Sequence, residues 1–500
     1  MAFVRASDFN VIGNGAADDT APLQAAIDAI VSRGGGRLYL GDQRSTLRIT
    51  DQIRIGSKLE LFGEATVKVD AASYPTAWNR PIFKNENHDA TWITDHSIKF
   101  SGLTFDGSGV GNAAHMLRVR MARDVRVADC LFKDVDNGTA FLATEDTWVE
   151  RTKIRGANNC GIDHWDGAKR ARVMFNDIDG CDNQGIQFTG TGTADEARTS
   201  EDFVCVGNSL RNIKSPSSPG AATAIIVNAN HGDSAVNLAR VLANNVEDSD
   251  IAYAVTGDGS GFDFTANTAL RCLNTGFLAA ADGGKFPSRI TLNGHRVIDC
   301  GSFGNAPVII GGGSGHVLSA VAVSGHTKPY AIDMSGASDW TIDGGRLQAG
   351  SVGKVNIGSA TAYKLDGVEF GTWTPYLRFG GSTAGIAYTR QQGIWTKSGR
   401  NVRVVGEILL SSKGTATGVA SIAGLPFDGI SWGTGPQYQA AGGVAAYDGM
   451  TGLGYPPALL NVLGELYLYI YSATTTGNMQ SGNFTNTSRL RFEAAYIAAE

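Results

Sequence analysis

The acids and bases between residues 145 and 201 carry the spacing on which chemistry could be built. "GIDHWDGAKR", residues 161–170, holds Asp163, His164, Trp165, Asp166, Lys169 and Arg170 in one short stretch. Glu145 and Asp146 stand about one repeat earlier, and Asp179 and Asp182 about one repeat later. If the stretch is a strand with Ile162 and His164 inward, Asp163 points outward, as does Gln187 of the later "GIQF". Glycoside hydrolysis needs two carboxyls roughly 5 to 10 Å apart, one of them kept protonated. Stacked strands lie about 4.8 Å apart, so outward acids on adjacent or next-adjacent strands meet that requirement.

Asp163, Asp166, Glu145 and Asp182 are therefore candidate acids, bases or nucleophiles. Gln187, Trp165, Lys169, Arg170, Glu196 and Arg198 are candidates to hold a substrate. β-Elimination is the rival chemistry. It needs a base near a uronic acid and a group that neutralises the carboxylate, and His164, Lys169, Arg170 and Arg198 carry those types. Two bland readings compete. Asp and Asn also stabilise turns by bonding the backbone, and the same parity makes His164 a packed, inward residue. "MLRVRMARDVRV" (116–127) turns Arg118 and Arg120 outward, which suits either an anionic chain or an ordinary solvated face. Trp148, Trp165 and Trp340 suit either sugar stacking or packing. No serine nucleophile elbow stands out. No ligand spacing singles out a metal, and no cofactor is expected. The cysteines at 130, 160, 181, 205, 272 and 300 form no CxxC pair and read as reduced apolar fillers.

The elements that must position these residues repeat. "RDVRVADCLF", "TWVERTKIRG", "ARVMFNDIDG", "DFVCVGNSLRN", "ARVLANNVED" and "GFDFTANTALR" read as successive strands. Most are followed by a small-residue turn and a second strand, such as "NNCGIDHW" or "NQGIQFT". Equivalent apolar positions at Leu131, Ile154, Ile178, Leu210, Val246, Leu270 and Val297 step by 23, 24, 32, 36, 24 and 27 residues. That period, with short alternating strands and Asn/Gly corners, predicts a parallel β-solenoid rather than an antiparallel sandwich. The two long steps place extra chain at 189–202, 214–222 and 228–235. Neighbouring long loops stack into a wall, and a wall beside a flat sheet makes the open groove a polysaccharide needs.

One helix is expected. Leu23, Ile27, Ile30 and Val31 form an apolar stripe, Asp18, Asp19 and Thr20 offer N-cap oxygens, and Pro22 suits the first turn. Gly34 to Gly36 end it before a strand at 37–40. An open solenoid end exposes unpaired backbone and apolar core, so the helix reads as a lid. Glycine, 65 of 500 residues, is about twice its usual share without a collagen period. The formal charge of −6 (42 basic against 48 acidic residues) implies no general affinity for nucleic acid. No apolar stretch is long enough to span a bilayer, and no signal peptide leads the chain.

"DFNVIGNGAADDTAPLQAAIDAIVSRGGGRLYLG" (8–41) resembles the opening of the pectate-lyase-like right-handed β-helices of tailed-phage tailspikes and capsule depolymerases. An aromatic-x-x-x-G, a D-D-T, a Q-x-A-I-D helix and a G-G-G before a strand all stand here. The usual P-x-G-x-Y after the strand appears only loosely, in "GDQRSTLRI". Residues 373–427 resemble a β-rich module that ends many phage tail-fibre and tailspike proteins. The strands "NVRVVGEILL", "GELYLYIYSA" and "RLRFEAAYI" are also longer and more regular than the repeats before them. The expected architecture is all-β: a capping helix and first strand over 1–45, a parallel β-helix with a polysaccharide groove over 46–371, and a β-sandwich-like module over 372–500. The resemblance implies a homotrimer in the virion tail that works with other tail proteins, without membrane insertion. It implies binding and endo-cleavage of a bacterial surface polysaccharide, by hydrolysis or by β-elimination, or else adhesion without cleavage. Met1 stands only a few residues before the motif, which suggests either a trimmed chain or docking through another tail protein.

Overall fold

A computed structural model of the chain describes residues 3–74, 81–110, 115–190, 199–229, 235–301, 306–358, 362–430, 439–453, 455–462, 464–471 and 476–499. They form two compact units, Met1–Ala337 with Gly344–Ser359, and Ser338–Asp343 with Ala360–Glu500. Gly371, the expected boundary, lies within the strand Val368–Trp373 of the second unit.

The first unit is a parallel β-helix. Each coil contributes one strand to each of three faces, here called A, B and C. One coil runs Glu145–Glu150 (A), Lys153–Ala157 (B) and Cys160–Trp165 (C), and the next runs Lys169–Met174, Asp177–Cys181 and Gln184–Gly190. Each strand pairs in parallel with its counterparts one coil away, and among the described residues the B face has 13 strands and the C face 12. The inward B-face row is Phe132, Ile154, Ile178, Leu210, Val246, Ala269 and Val297. Two expected members of that row are corrected. Leu131 and Leu270 lie one residue off, paired with Lys153 and Ile298 on the outer side. With apolar residues at adjacent positions, hydrophobicity alone could not choose the face, and a one-residue slip inverts it.

The recurring Asn has a specific job. Each A-to-B corner turns on a left-handed residue: Asp129, Arg151, Phe175, Gly207 (φ 67°) and Ala243 in successive coils. Left-handed backbone suits Gly and tolerates Asp and Asn. The next residue points inward, and there Asn176, Asn208, Asn244 and Asn267 build a buried amide ladder. The side-chain nitrogens of Asn176, Asn208 and Asn244 each donate to the following Asn carbonyl at 2.9, 2.8 and 3.0 Å. Around it, aromatic rings stack inside the coils, with Phe105 on Phe132 at 4.7 Å and Phe188 on Phe203 at 4.4 Å. The six cysteines are free and buried.

The helix, Thr20–Val31, buries Leu23, Ala26, Ile27 and Ile30. It completes the open end with more than apolar cover. Gln24 donates to the Arg54 carbonyl (3.1 Å) and accepts from the Arg54 amide (2.8 Å), replacing a missing neighbour of the edge strand Ile53–Ile55. The expected N-cap role of Asp19 is corrected. Its carboxylate is buried and turns away from the helix to accept from the amides of Ile12 (2.7 Å), Gly13 and Arg48. Asp18 takes the Thr20 amide instead, at 3.0 Å.

Apart from the parallel pair of Ser338–Asp343 with Ala362–Leu365, the described strands of the second unit pair antiparallel. Ile386–Ser398, Asn401–Lys413, Phe484–Ile497 and Gln439–Met450 are neighbours in that order. Its apolar core includes Trp373, Leu377, Phe379, Leu466, Leu468 and Phe492. Glu407, 8% exposed, is held by Arg390, Arg489 and Arg491, which keep its carboxyl low, at about 2. Among the described residues, no helix is long and apolar enough to cross a membrane.

Candidate functional site

The acids of the β-helix fall into two groups by environment. The first lies on the A and B faces in arginine lattices. Arg170 grips Asp146 with two bonds (2.7 and 3.0 Å) and Glu145 with one (2.8 Å). Arg211 binds Asp179 (2.9 Å), and Arg271 binds Asp248. These bonds from the arginines hold Asp146 and Asp248 below the usual carboxylate range. Lys169 reaches Glu201 at 3.3 Å. The structure thus spends Glu145, Lys169 and Arg170 on contacts between coils at the start of the A strands.

The second group lies at the C face and its entrance. Asp163 stands in the middle of Cys160–Trp165, side chain outward, in register with Ala140 before it and Gln187 after it. It is 5% exposed, and its Oδ1 has no hydrogen-bond partner. Burial pushes its carboxyl up to about 7 against the opposing pull of the Arg118 guanidinium. Asp136 and Asp182, at the B-to-C corners of coils on either side, are also pushed upward by burial. Cys160 lies within electrostatic reach of both Asp163 and Asp136. Its thiol donates to Gln184 (3.0 Å) and Gln187 (3.5 Å), and Gln187 donates to Thr189 (2.6 Å), which fixes the amide beside Asp163.

Trp165 and Arg118 complete this face. Arg118 starts on His115–Arg120, two strands before Cys160–Trp165. Its guanidinium nevertheless lies 6.0 Å from the Trp165 ring, so the side chain crosses the intervening strand above the small Ala140. There it feels the charges of Asp163, Asp89 and Asp166. Asp166 occupies the left-handed turn residue that follows Trp165 (φ 65°). Trp92, in the loop after the strand Phe83–Asn85, is a strongly exposed aromatic.

His164 faces the opposite way. It is fully buried, shares a 2.9 Å hydrogen bond with Thr147 and stacks on Phe141 at 4.8 Å. Burial lowers its imidazole to about 3, so it is a neutral core residue out of a substrate's reach. Of the sequence candidates, the C face brings together Asp163, Trp165, Asp166 and Gln187, with Asp182 at its entrance. Glu196 and Arg198 lie outside the described residues. Sequence reasoning passed over Asp136 and left Arg118 open between an anionic-chain contact and an ordinary solvated face. The outward alternation of "MLRVRM" was the available signal for Arg118.

Three parallel faces wound coil on coil and an N-terminal helical lid define a right-handed parallel β-helix protein. No family model and no curated sequence matches the chain. Among solved structures it is similar to the Dettilon tailspike protein, with 16% identity over 99% of this chain and 94% of that one, and a TM-score of 0.50. It is also similar to a family 28 exopolygalacturonase of Yersinia enterocolitica, with 13% identity over 73% and 76% of the chains and a TM-score of 0.53. A third match is an Escherichia coli bacteriophage tailspike in complex with a pentasaccharide, at 13% identity, 99% and 94% coverage and a TM-score of 0.44. The likeness is one of fold.

Proposed function

We propose that this chain is a phage tailspike that binds and endo-cleaves a bacterial surface polysaccharide by glycoside hydrolysis, at the outer C face around Asp163. One observation carries the reading. Asp163 is a carboxyl whose ordinary value of 3.8 is raised to about 7, on a strand face flanked by an aromatic and an amide. A carboxyl kept protonated near neutrality is what a leaving glycosidic oxygen requires. Asp136, Asp182 and Asp166 supply the second carboxyl. The first two have no cation among the causes of their upward shift, unlike the acids locked to arginine on the A and B faces. In this reading Trp165 and Trp92 stack on sugar rings, Gln187 orients a hydroxyl, and the protein sits in the virion tail beside other tail proteins.

β-Elimination is favoured by one feature only, the desolvated Arg118, whose guanidinium is shifted downward by burial and by Arg120. Purified protein added to capsules from a panel of bacterial strains separates the readings. New reducing ends without an unsaturated product support hydrolysis. Ultraviolet absorbance from an unsaturated uronate assigns a lyase. Binding without cleavage on every strain bound would leave an adhesin and overturn the proposal.

A further inference from the structure

The outer C face carries a cation that the fold itself leaves unanswered. Nε of Arg118 is buried and has no hydrogen-bond partner, and no acid among the described residues forms an ion pair with this guanidinium. Its neighbours are treated differently. Arg120 donates to the carbonyls of His88 and Ala90, both at 3.1 Å, and so braces the loop after Phe83–Asn85. Lys84, beside Arg118 in the same outward row, is paired with Asp89 at 3.0 Å. Arg126 lies 4.3 Å over Trp148 on the A face and is solvated.

A guanidinium offers five N–H donors in a planar fork that matches a carboxylate in two parallel bonds. Burying such a group with a donor unmet costs free energy, which is recovered when a ligand supplies the acceptor. The position is equally specific. Arg118, Ala140 and Asp163 share one row across three adjacent strands. Two strand spacings of about 4.8 Å separate the backbones of the first and the last, and the Arg118 side chain spans them to lie by Trp165 within electrostatic reach of Asp163. Ala140, with only a methyl group, lets the Arg118 side chain cross toward Trp165 and Asp163.

We propose that Arg118 forms a carboxylate-binding subsite beside Asp163, so that the glycan bound on this face carries an acidic sugar, a uronate, next to the bond that is cleaved. The subsite deepens the polysaccharide reading above and rests on it only for the location of cleavage. Arg118 takes the uronate carboxylate bidentately and moves it away from Asp163, and Trp165 receives the ring face.

The test reads binding and cleavage separately. Saturation-transfer NMR is recorded with Asp163→Asn protein and four monosaccharide probes, the methyl glycosides of glucuronate, galacturonate, glucose and galactose. The expected result is signal from at least one acidic probe and at least about tenfold weaker signal from its neutral parent, since loss of a paired charge at a desolvated site costs at least that much. Arg118→Gln in the same background should remove the acidic preference while its circular dichroism and melting remain those of a folded β-helix. Equal signals from acidic and neutral probes, no signal from any probe, or a preference that survives Arg118→Gln overturns the subsite. If Arg118→Gln fails to fold, Arg118→Lys serves in its place, with a point charge that retains attraction but loses the two-bond preference. If wild-type protein shows the acidic preference but cleaves no capsule, the subsite stands and the hydrolase reading falls.

Discussion

Asp163 and His164 are consecutive residues whose side chains face opposite sides of one strand, the acid outward beside Gln187 and the imidazole inward against Phe141. The same burial that raises the carboxyl to about 7 lowers the imidazole to about 3, so both are uncharged between those two values. Only the outward one can meet a substrate. Asp163→Asn should therefore reduce turnover at least about a hundredfold, the scale of lost general acid help. Reducing-end release from a sensitive capsule is the measurement, and an unchanged rate would reject Asp163 as the acid.

The same residue predicts a pH dependence of stability. Its folded value, about 7, lies above the ordinary 3.8, so the fold favours the protonated form. That contribution is complete below about pH 4 and is lost as pH rises through 7, on the order of 4 kcal/mol at the limit. The groups facing it are Arg118, which opposes the shift, and the neutral Cys160 thiol. Asn imitates the protonated acid. The melting temperature of Asp163→Asn should exceed that of the wild type by a margin that grows from pH 5 to pH 8. Turnover should fall as pH rises past 7.

His164→Ala should behave in the opposite manner. It opens a cavity beside Phe141 and Phe188 and strands the Thr147 hydroxyl. A loss of about 2–5 kcal/mol is expected from the cavity scale, with turnover per folded molecule nearly unchanged. Denaturant titration and active-site-normalised rates check the two halves.

Glu145→Gln separates the arginine lattice from the proposed catalytic face. Its bond to Arg170 is partly exposed, and such pairs contribute about 0–1 kcal/mol. Melting should shift by at most a few degrees and turnover by less than about threefold. A loss comparable to that of Asp163→Asn would move the second carboxyl to Glu145.

These contrasts explain how much the sequence revealed. The coils were legible because the corner chemistry is demanding. The left-handed corner residue itself varies, but the inward amide after it recurs, so "FNDI", "GNSL" and "ANTAL" look alike. Parity put Asp163 and Gln187 outward because strand period is 2 regardless of what surrounds it. The fate of Glu145 was not legible. Its partner Arg170 is set by which residues stand in register one coil away, a consequence of loop lengths that local pattern does not encode. Asp19 was misread for a similar reason. Its acceptors serve Ile12 and Arg48, which only the closed lid brings near.

The amide ladder offers the clearest test of what holds the coils together. Asn208 receives from Asn176, donates to Asn244, and also bonds the Val173 carbonyl at 3.0 Å, with no solvent to replace these partners. Asn208→Ala takes the acceptor from the Asn176 backbone and side-chain N–H groups and the side-chain donor from the Val173 carbonyl, while the Asn208 backbone amide still donates to Asn244. Each orphaned buried group costs about 1–3 kcal/mol, so the variant should lose several kcal/mol although it removes only a small side chain. Asn208→Leu fills the space but leaves the same groups unmet, so it should recover little of the loss. The test is chemical denaturation of both variants. If Leu restored wild-type stability, packing rather than the ladder would be what the repeated Asn contributes, and the corner pattern of the sequence would need another cause.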